Sequence, residues 1–241
     1  MRWQRRHVEY KTTIVTILCD ERFIPAGERA LVESRAELER YIERDPVFLT
    51  THAPHQPLAD APELARRMCE ATARVNVGPM AAVAAALAER ALWAMKNAGA
   101  KEAVVDNGGD IAFCIREPVR VGLFAGESSV RDLAFEVEPR EEPFSICTSS
   151  GTVGPSFSYG KADAAVIVSS DILLADAAAT ALGNRIKTES DLETCFNFLD
   201  ELPEVEGAMA VLRDKISLWG KLPKIVRSTV DWDLITKGEI G

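Results

Sequence analysis

The chain has 241 residues, 47% hydrophobic and 27% charged, a water-soluble composition with ample length for a core. A net charge of −9 argues against a nucleic-acid binder, whose affinity rests on neutralising phosphates. No run of about 18 apolar residues occurs, so no membrane span is expected. The basic start, Arg2, Arg5 and Arg6, has no apolar stretch behind it, and no secretory leader is expected. In HVEYKTTIVTIL, Val8, Tyr10, Thr12, Ile14 and Thr16 alternate with polar residues and predict a strand. ERALVESRAELERYIERDP predicts an amphipathic helix with Leu31, Leu38, Tyr41 and Ile42 on one face and Pro46 after its end. The proline-rich THAPHQPLADAP reads as a connector, and its His52 and His55 as loop residues more than as zinc ligands.

Two helices are expected next. PELARRMCEATARV is the first; the second, AAVAAALAERALWAMKNAG, is apolar nearly all round, which places it at the centre of the fold. Asn76, Gly78 and Pro79 precede the second helix, and Asn97 and Gly99 end it. A β region follows: EAVVD, GDIAFCI, VRVGLFA, LAFEVEP and FSICTS. SDILLADAAATALGNRI reads as a second Ala-rich buried helix, with Ser169 or Ser170 as its cap and Gly183-Asn184 as its end. DLETCFNFLDEL predicts another helix, and EGAMAVLRDKISLWGK a hairpin around Arg213-Asp214. The expected fold class is α+β, one domain over 1–241. An antiparallel-rich β-sheet packs on central Ala-rich helices, with a hint of a duplicated αβ unit. Five dispersed cysteines without a CxxC pair read as buried free thiols in a reducing, cytoplasmic setting.

Three stretches stand out chemically. In VVDNGGDIAF, Asn107-Gly108 between alternating segments reads as a type I′ hairpin turn. The second glycine, Gly109, and the acids Asp106 and Asp110 equally fit a loop that lets a ligand approach the backbone. In ICTSSGTVGPSFSYG, Thr148, Ser149, Ser150 and Gly151 end a strand in a turn able to hold phosphate oxygens. The Lys of a P-loop is absent. In LLADAAATAL, Asp176 and Thr180 share a helix face amid alanines. A buried carboxylate needs a partner; the choices are a backbone segment, a Lys or Arg, or Mg²⁺. Lys161 in YGKADAA either meets a phosphate or pairs with Asp163.

The order GP-Ala-rich helix, NGGD, TSSG and LADAAATAL, over Val75 to Asn184, resembles the ApbE family of flavin transferases, and most closely a shorter ApbE-like group within it. The resemblance implies an ApbE-like fold and FAD or FMN as the flavin, with Mg²⁺ required. The activity would be transfer of FMN to a target protein, or hydrolysis of FAD to FMN and AMP. Carried over, Asn107, Gly108, Gly109, Asp110, Thr148, Ser149, Ser150, Gly151 and Lys161 would contact the flavin nucleotide. Asp176 and Thr180 would hold the metal, and Asp176 would be the catalytic base. The family's segment with a His, an Asp-Pro and a Thr-Gly between the TSG turn and the ADxxAT helix is missing here. A non-catalytic flavin- or nucleotide-binding protein, or an oligomeric one on the same scaffold, is therefore the alternative. The partners expected are a small-molecule nucleotide or flavin, a target protein and, because small-residue helix faces pack closely, a second copy in a homodimer.

Overall fold

The structure is a computed structural model and describes residues 3–123, 132–151, 159–228 and 236. Part of the predicted VRVGLFA strand and residues 152–158 of the Gly-rich turn lie outside the described residues.

The first predicted strand is a hairpin of two, β1 (Gln4–Tyr10) and β2 (Thr13–Cys19). Tyr10 pairs with Thr13, so Lys11-Thr12 forms the turn and Lys11 takes a positive φ of 56°. No Gly, Asn or Asp marks the place, which is why unbroken alternation hid it. Helix α1 (Ile24–Arg44) buries Leu31, Leu38 and Tyr41, as its period predicts. A short helix α2 (Pro46–Thr50) leads into the connector, followed by α3 (Glu63–Ala73). A 3-10 turn (Pro79–Ala82) then runs into α4 (Val83–Asn97), which ends as expected, with Gly99 at a φ of 111°.

Strands β3 (Ala103–Asn107), β4 (Asp110–Ile115), β5 (Val119–Leu123), β6 (Leu133–Val137) and β7 (Arg140–Ser149) occupy the predicted β region. After them come β8 (Ala164–Ser169), helix α5 (Ile172–Arg185), the hairpin strands β9 (Val205–Leu212) and β10 (Lys215–Gly220), and β11 (Lys224–Arg227). Leu212 pairs with Lys215, so the hairpin turns at Arg213-Asp214 as predicted. Two predictions need correction. The cap of α5 is Asp171, whose side chain accepts from the Leu174 N–H, while the Ser169 hydroxyl donates to the Glu204 carbonyl instead. DLETCFNFLDEL forms two 3-10 turns, Glu189–Glu193 and Asn197–Glu201. Its buried residues Leu192, Phe196, Leu199 and Leu202 recur at three to four, and 3-10 turns satisfy that spacing as well as an α-helix does.

Eight strands form one antiparallel sheet in the order β1-β2-β3-β4-β7-β8-β9-β10. Strands β5 and β6 leave it and join β11 in a second sheet, β11-β6-β5, which the sequence did not foreshadow. Alternation along each strand divides the interior in two. Val15, Ile17, Ala103, Val105, Ala112, Ala165, Ile167, Ala208 and Ala210 face the helices. Val104, Phe113, Phe144, Val166, Val168 and Met209 face the small sheet's Leu123, Phe135 and Val137. Helix α4 lies on β3 and β4 under α1, and α5 on β7 and β8 under α3. The fold is thus the expected α+β one, with the Ala-rich helices central. Their small side chains permit the close approach: Gly27 of α1 sits where a Cβ would be 3.0 Å from the Met95 sulfur of α4. All five cysteines are buried with free thiols. Among the described residues no helix is long and apolar enough to cross a membrane.

Candidate functional site

The β3–β4 hairpin turns at Gly108-Gly109, one residue later than the Asn-Gly pair implies. Both take positive φ, 69° and 101°, and Asn107 pairs with Asp110 across them. The shift decides the chemistry, because a one-residue slip changes the face of each side chain. Asn107 and Asp110 fall on the helix face, in line with Val105 and Ala112. Asp106 falls on the opposite face with Val104. The two acids therefore do not act together at one tip.

On the helix face the side chains converge. The Asn107 amide donates to the Ala84 carbonyl at 2.9 Å, and the Ala85 N–H donates to the Asp176 carboxylate at 3.1 Å. Ala84 and Ala85 belong to the first turn of α4, whose N-cap residue, Ala82, has no side chain able to cap. Asp176 of α5 thus supplies from another helix the acceptor that the first-turn amides lack, and the positive end of the α4 dipole favours its charge. The backbone partner foreseen for Asp176 is real. Among the described residues, however, no Lys or Arg forms an ion pair with Asp176 or Asp110.

Asp110 pairs in register with Cys147 of β7, and its carboxylate accepts hydrogen bonds from the Cys147 thiol and the Thr148 N–H. Burial pushes Asp110 well above the ordinary carboxylate range, and repulsion from Asp176 pushes it further. Burial likewise raises Asp176 to about 7, against which the Ala85 and Ala84 amides work. The Cys147 thiol is held protonated by burial and by the two acids beside it. The pair behaves as two carboxyl groups that resist carrying two charges without a cation.

The remaining predicted residues surround this pair unequally. A Cβ on Gly109 would meet Thr148 at 4.0 Å, so the Gly-Gly turn and the end of β7 lie together. Ser149 points at α5, 3.6 Å from where a Gly183 Cβ would stand. The Gly151 N–H donates to the Ala162 carbonyl, and a Cβ there would collide with the Gly160 carbonyl at 2.5 Å. Ser150 is half-buried beside it. Thr180 is half-buried one turn beyond Asp176. Lys161 is exposed; its N–H bonds the Ile186 carbonyl at the far end of α5, about 15 Å along the helix from Asp176. Asp163 does not partner it through the strand as envisaged, since its carboxylate accepts the Arg213 N–H of the β9–β10 turn.

Sequence reasoning missed Cys147, the α4 amides and the role of Asp106. Cys147 follows a plain strand pattern, and only its cross-strand register reveals it. Asp106 accepts the Gly109 N–H at 2.9 Å and the Thr236 hydroxyl. His55 bonds Asp45, and His52 meets the Tyr159 ring. The described residues contain no group of three His, Cys, Asp or Glu side chains able to hold a metal. A depression of about 200 Å³ between α3 and the start of α5 is lined by Arg67 and Arg74. Both are committed, Arg67 to Glu89 and Arg74 to Glu204.

A family model described as AbpE bacteria matches residues 1–195. The chain is 51% identical over 239 residues to a UPF0280 protein of Methanocella arvoryzae, covering 98% of each. It is 45% identical to one of Methanothrix thermoacetophila, covering 97% of this chain and 99% of the relative. Among solved structures it resembles the apo form of Pseudomonas stutzeri flavinyl transferase ApbE, with a TM-score of 0.57 at 13% identity over 92% of this chain and 95% of that one. It resembles the ApbE protein of Thermotoga maritima with a TM-score of 0.55 at 12% identity over 98% and 100%. Identities that low establish a shared fold. The family model and the full-length relatives carry the assignment: the chain belongs to the AbpE bacteria family and is a relative of the UPF0280 proteins.

Proposed function

We propose that the Asp110–Asp176 pair holds a divalent cation, Mg²⁺, and that the cation in turn binds a flavin dinucleotide or a related pyrophosphate nucleotide. The observation that carries this reading is the half-buried Asp110 and the buried Asp176 on the helix side of the sheet, near enough to repel each other, with no Lys or Arg ion-paired to either among the described residues. Hard oxygen donors suit Mg²⁺, which needs few protein ligands when waters and phosphates complete its shell. Asp110, Asp176 and the Thr180 hydroxyl would hold it, and it would supply neutralisation of charge on the pyrophosphate. The fold shared with a flavinyl transferase supports FAD as the dinucleotide.

The reaction that fits is transfer of FMN. An attacking hydroxyl oxygen forms a bond to the FMN phosphorus, the bond to the AMP oxygen breaks, and AMP leaves with the electron pair. Asp176 would take the hydroxyl proton on a carboxylate oxygen that the cation leaves free. A protein hydroxyl as attacker makes a transferase, and water makes an FAD hydrolase. The missing His/Asp-Pro/Thr-Gly segment favours a second reading, in which the same site binds without turnover.

The test is FAD binding, followed by flavin fluorescence with and without Mg²⁺, on wild type and Asp176→Ala. The same samples are then analysed for FMN and AMP. Mg²⁺-dependent binding lost in the variant supports the site, and FMN appearing with time makes it an enzyme. Binding without FMN selects the second reading. No binding at about 100 μM FAD, a concentration far above ordinary cofactor affinities, overturns both.

A further inference from the structure

We propose that strand β10 is the docking edge for a second copy of this chain, joining two eight-stranded sheets across a two-fold axis at Ser217. Strand β10 ends the large sheet on one side and β1 on the other. The two edges are built differently. Strand β1 presents Gln4, Arg5, Arg6, His7 and Glu9 to solvent, and charges along an edge discourage a further strand. Strand β10 has no proline, its register with β9 is unbroken, and Lys215 is its one charged residue. Its exposed large side chains are apolar: Ile216 is 41% exposed and Leu218 53%.

Free backbone and exposed side chain coincide at those two residues. Leu212 pairs with Lys215 across a two-residue turn. Lys215, Ser217 and Trp219 therefore exchange backbone bonds with β9, and Ile216 and Leu218 aim their N–H and C=O groups away from it. The Lys221 N–H, donating to the Glu206 carbonyl, continues the inward series. Val211, the partner of Ile216, turns its carbonyl the other way, to the Asp163 N–H beside β8. Among the described residues no backbone group meets Ile216 or Leu218 at the outer edge. Both lie opposite residues on the side of the small sheet, Val211 and Met209. On the helix side the strand is already engaged: the Ser217 hydroxyl donates to the Leu192 carbonyl at 3.1 Å, and Trp219 packs on the core.

A second β10, run antiparallel about Ser217, complements this edge in backbone, side chain and charge. Ile216 falls opposite Leu218 of the partner subunit, twice, and each such pair exchanges two backbone hydrogen bonds. The two apolar side chains of a pair share a face, where cross-strand neighbours stabilise each other. Asp214 before the strand and Lys221 after it are exposed, and neither forms an ion pair among the described residues. The two-fold sets Asp214 beside the partner's Lys221, again twice. A surface complementary to itself in this way closes at the dimer. The small-residue helix faces, from which a homodimer was expected, are used within the chain: Ala85, Ala88 and Ala91 of α4 and Ala175, Ala178 and Ala179 of α5 are buried.

The experiment is sedimentation velocity of the full chain from about 1 to about 100 μM, on wild type, Leu218→Lys, Asp214→Lys and Lys221→Asp, with a melting curve for each. Wild type is expected to pass from monomer to dimer with concentration and to grow no further, with amide exchange at Ile216 and Leu218 slowing as the dimer forms. Leu218→Lys is expected to stay monomeric at the wild-type melting temperature. Asp214→Lys and Lys221→Asp are each expected to weaken the dimer about fivefold or more, because like charges then face each other. An equimolar mixture of the two is expected to restore it, since every contact between unlike variants is again between opposite charges. The mixing result decides the question by itself if Leu218→Lys fails to fold. Wild type monomeric at every concentration overturns the proposal and leaves the edge to a foreign strand or to none. A dimer that survives Leu218→Lys, or one that the mixture does not restore, overturns it as well, because another face then joins the copies.

Discussion

At Asp176 burial acts on the charged form, and its consequence for stability has a definite sign. The carboxyl is 8% exposed, and desolvation raises it to about 7 in the folded chain, against about 4 when unfolded. A group raised on folding stabilises fully below its unfolded value, and that contribution is lost as pH rises through the folded value. Without metal, stability is therefore expected to fall between about pH 4 and pH 7. Asp176→Asn keeps an acceptor for the Ala85 N–H and removes the charge. In EDTA it is expected to flatten this decline and to be more stable than wild type at pH 8, by on the order of 1–3 kcal/mol. Added Mg²⁺ is expected to raise the wild-type melting temperature more at pH 8 than at pH 5.5, because a cation and a proton compete for the same oxygens. It is expected to leave the variant unmoved. Thermal melts across pH, with and without Mg²⁺, check all three, and a variant less stable than wild type at pH 8 would show that Asp176 is satisfied as a lone charged cap. That Asp176 and Thr180 lie one turn apart on a buried helix was legible from a four-residue spacing amid alanines. Cys147 was not, because what brings it to Asp110 is a cross-strand pairing made by residues 37 apart.

Element by element, local signals succeeded where one turn of chain sets the geometry and failed where packing sets it. The Ala-rich helices α4 and α5 were legible because helices apolar all round must be covered on all sides. The β3–β4 turn was legible as a turn but not in register. Asn-Gly and Gly-Gly both accept two positive φ values, and the choice falls to the Asn107 bond with Ala84 and the Asp106 bond with the Gly109 N–H. The connector after α2 showed only its prolines. Its order comes from the Tyr41, Asp45 and His55 cluster, with Phe48 edge-on to Tyr41 at 5.2 Å. Burial works to raise Asp45, yet the bonds from His55 and Tyr41 outweigh it and hold the carboxyl below its usual range. Tyr41→Phe removes a buried hydroxyl that donates to Asp45 and accepts from Leu58. It is expected to cost about 1–3 kcal/mol. Melting curves of this variant read the effect, and an unchanged melting temperature would show that the cluster does not hold the connector in place.

Across the whole molecule, the sheet carries one half-buried acid on each face of a single hairpin, Asp110 on one and Asp106 on the other, and the chain's distant parts meet at Asp106. Asp106 receives the Gly109 N–H on one oxygen and the Thr236 hydroxyl on the other. Thr236 lies 2.9 Å from the Thr16 hydroxyl of β2. One hydroxyl has one proton; the carboxylate is the stronger acceptor, so Thr236 donates to Asp106 and accepts from Thr16. A contact between residues 130 apart leaves no trace in local pattern, and Thr236 has no feature that would have singled it out. Burial raises Asp106, and the donated bonds oppose that rise. Thr236→Val keeps the shape and deletes the donor. The carboxyl should then rise further, and because its charged form is what the bond stabilises, the loss appears only where Asp106 would otherwise be ionised. The variant is expected to lose about 1–3 kcal/mol at pH 8, a drop of several degrees in melting temperature for a chain of this size, and much less at pH 4. An equal drop at both pH values would assign the effect to packing around the valine, and the link from Thr236 through Asp106 to the glycine turn would fall with it.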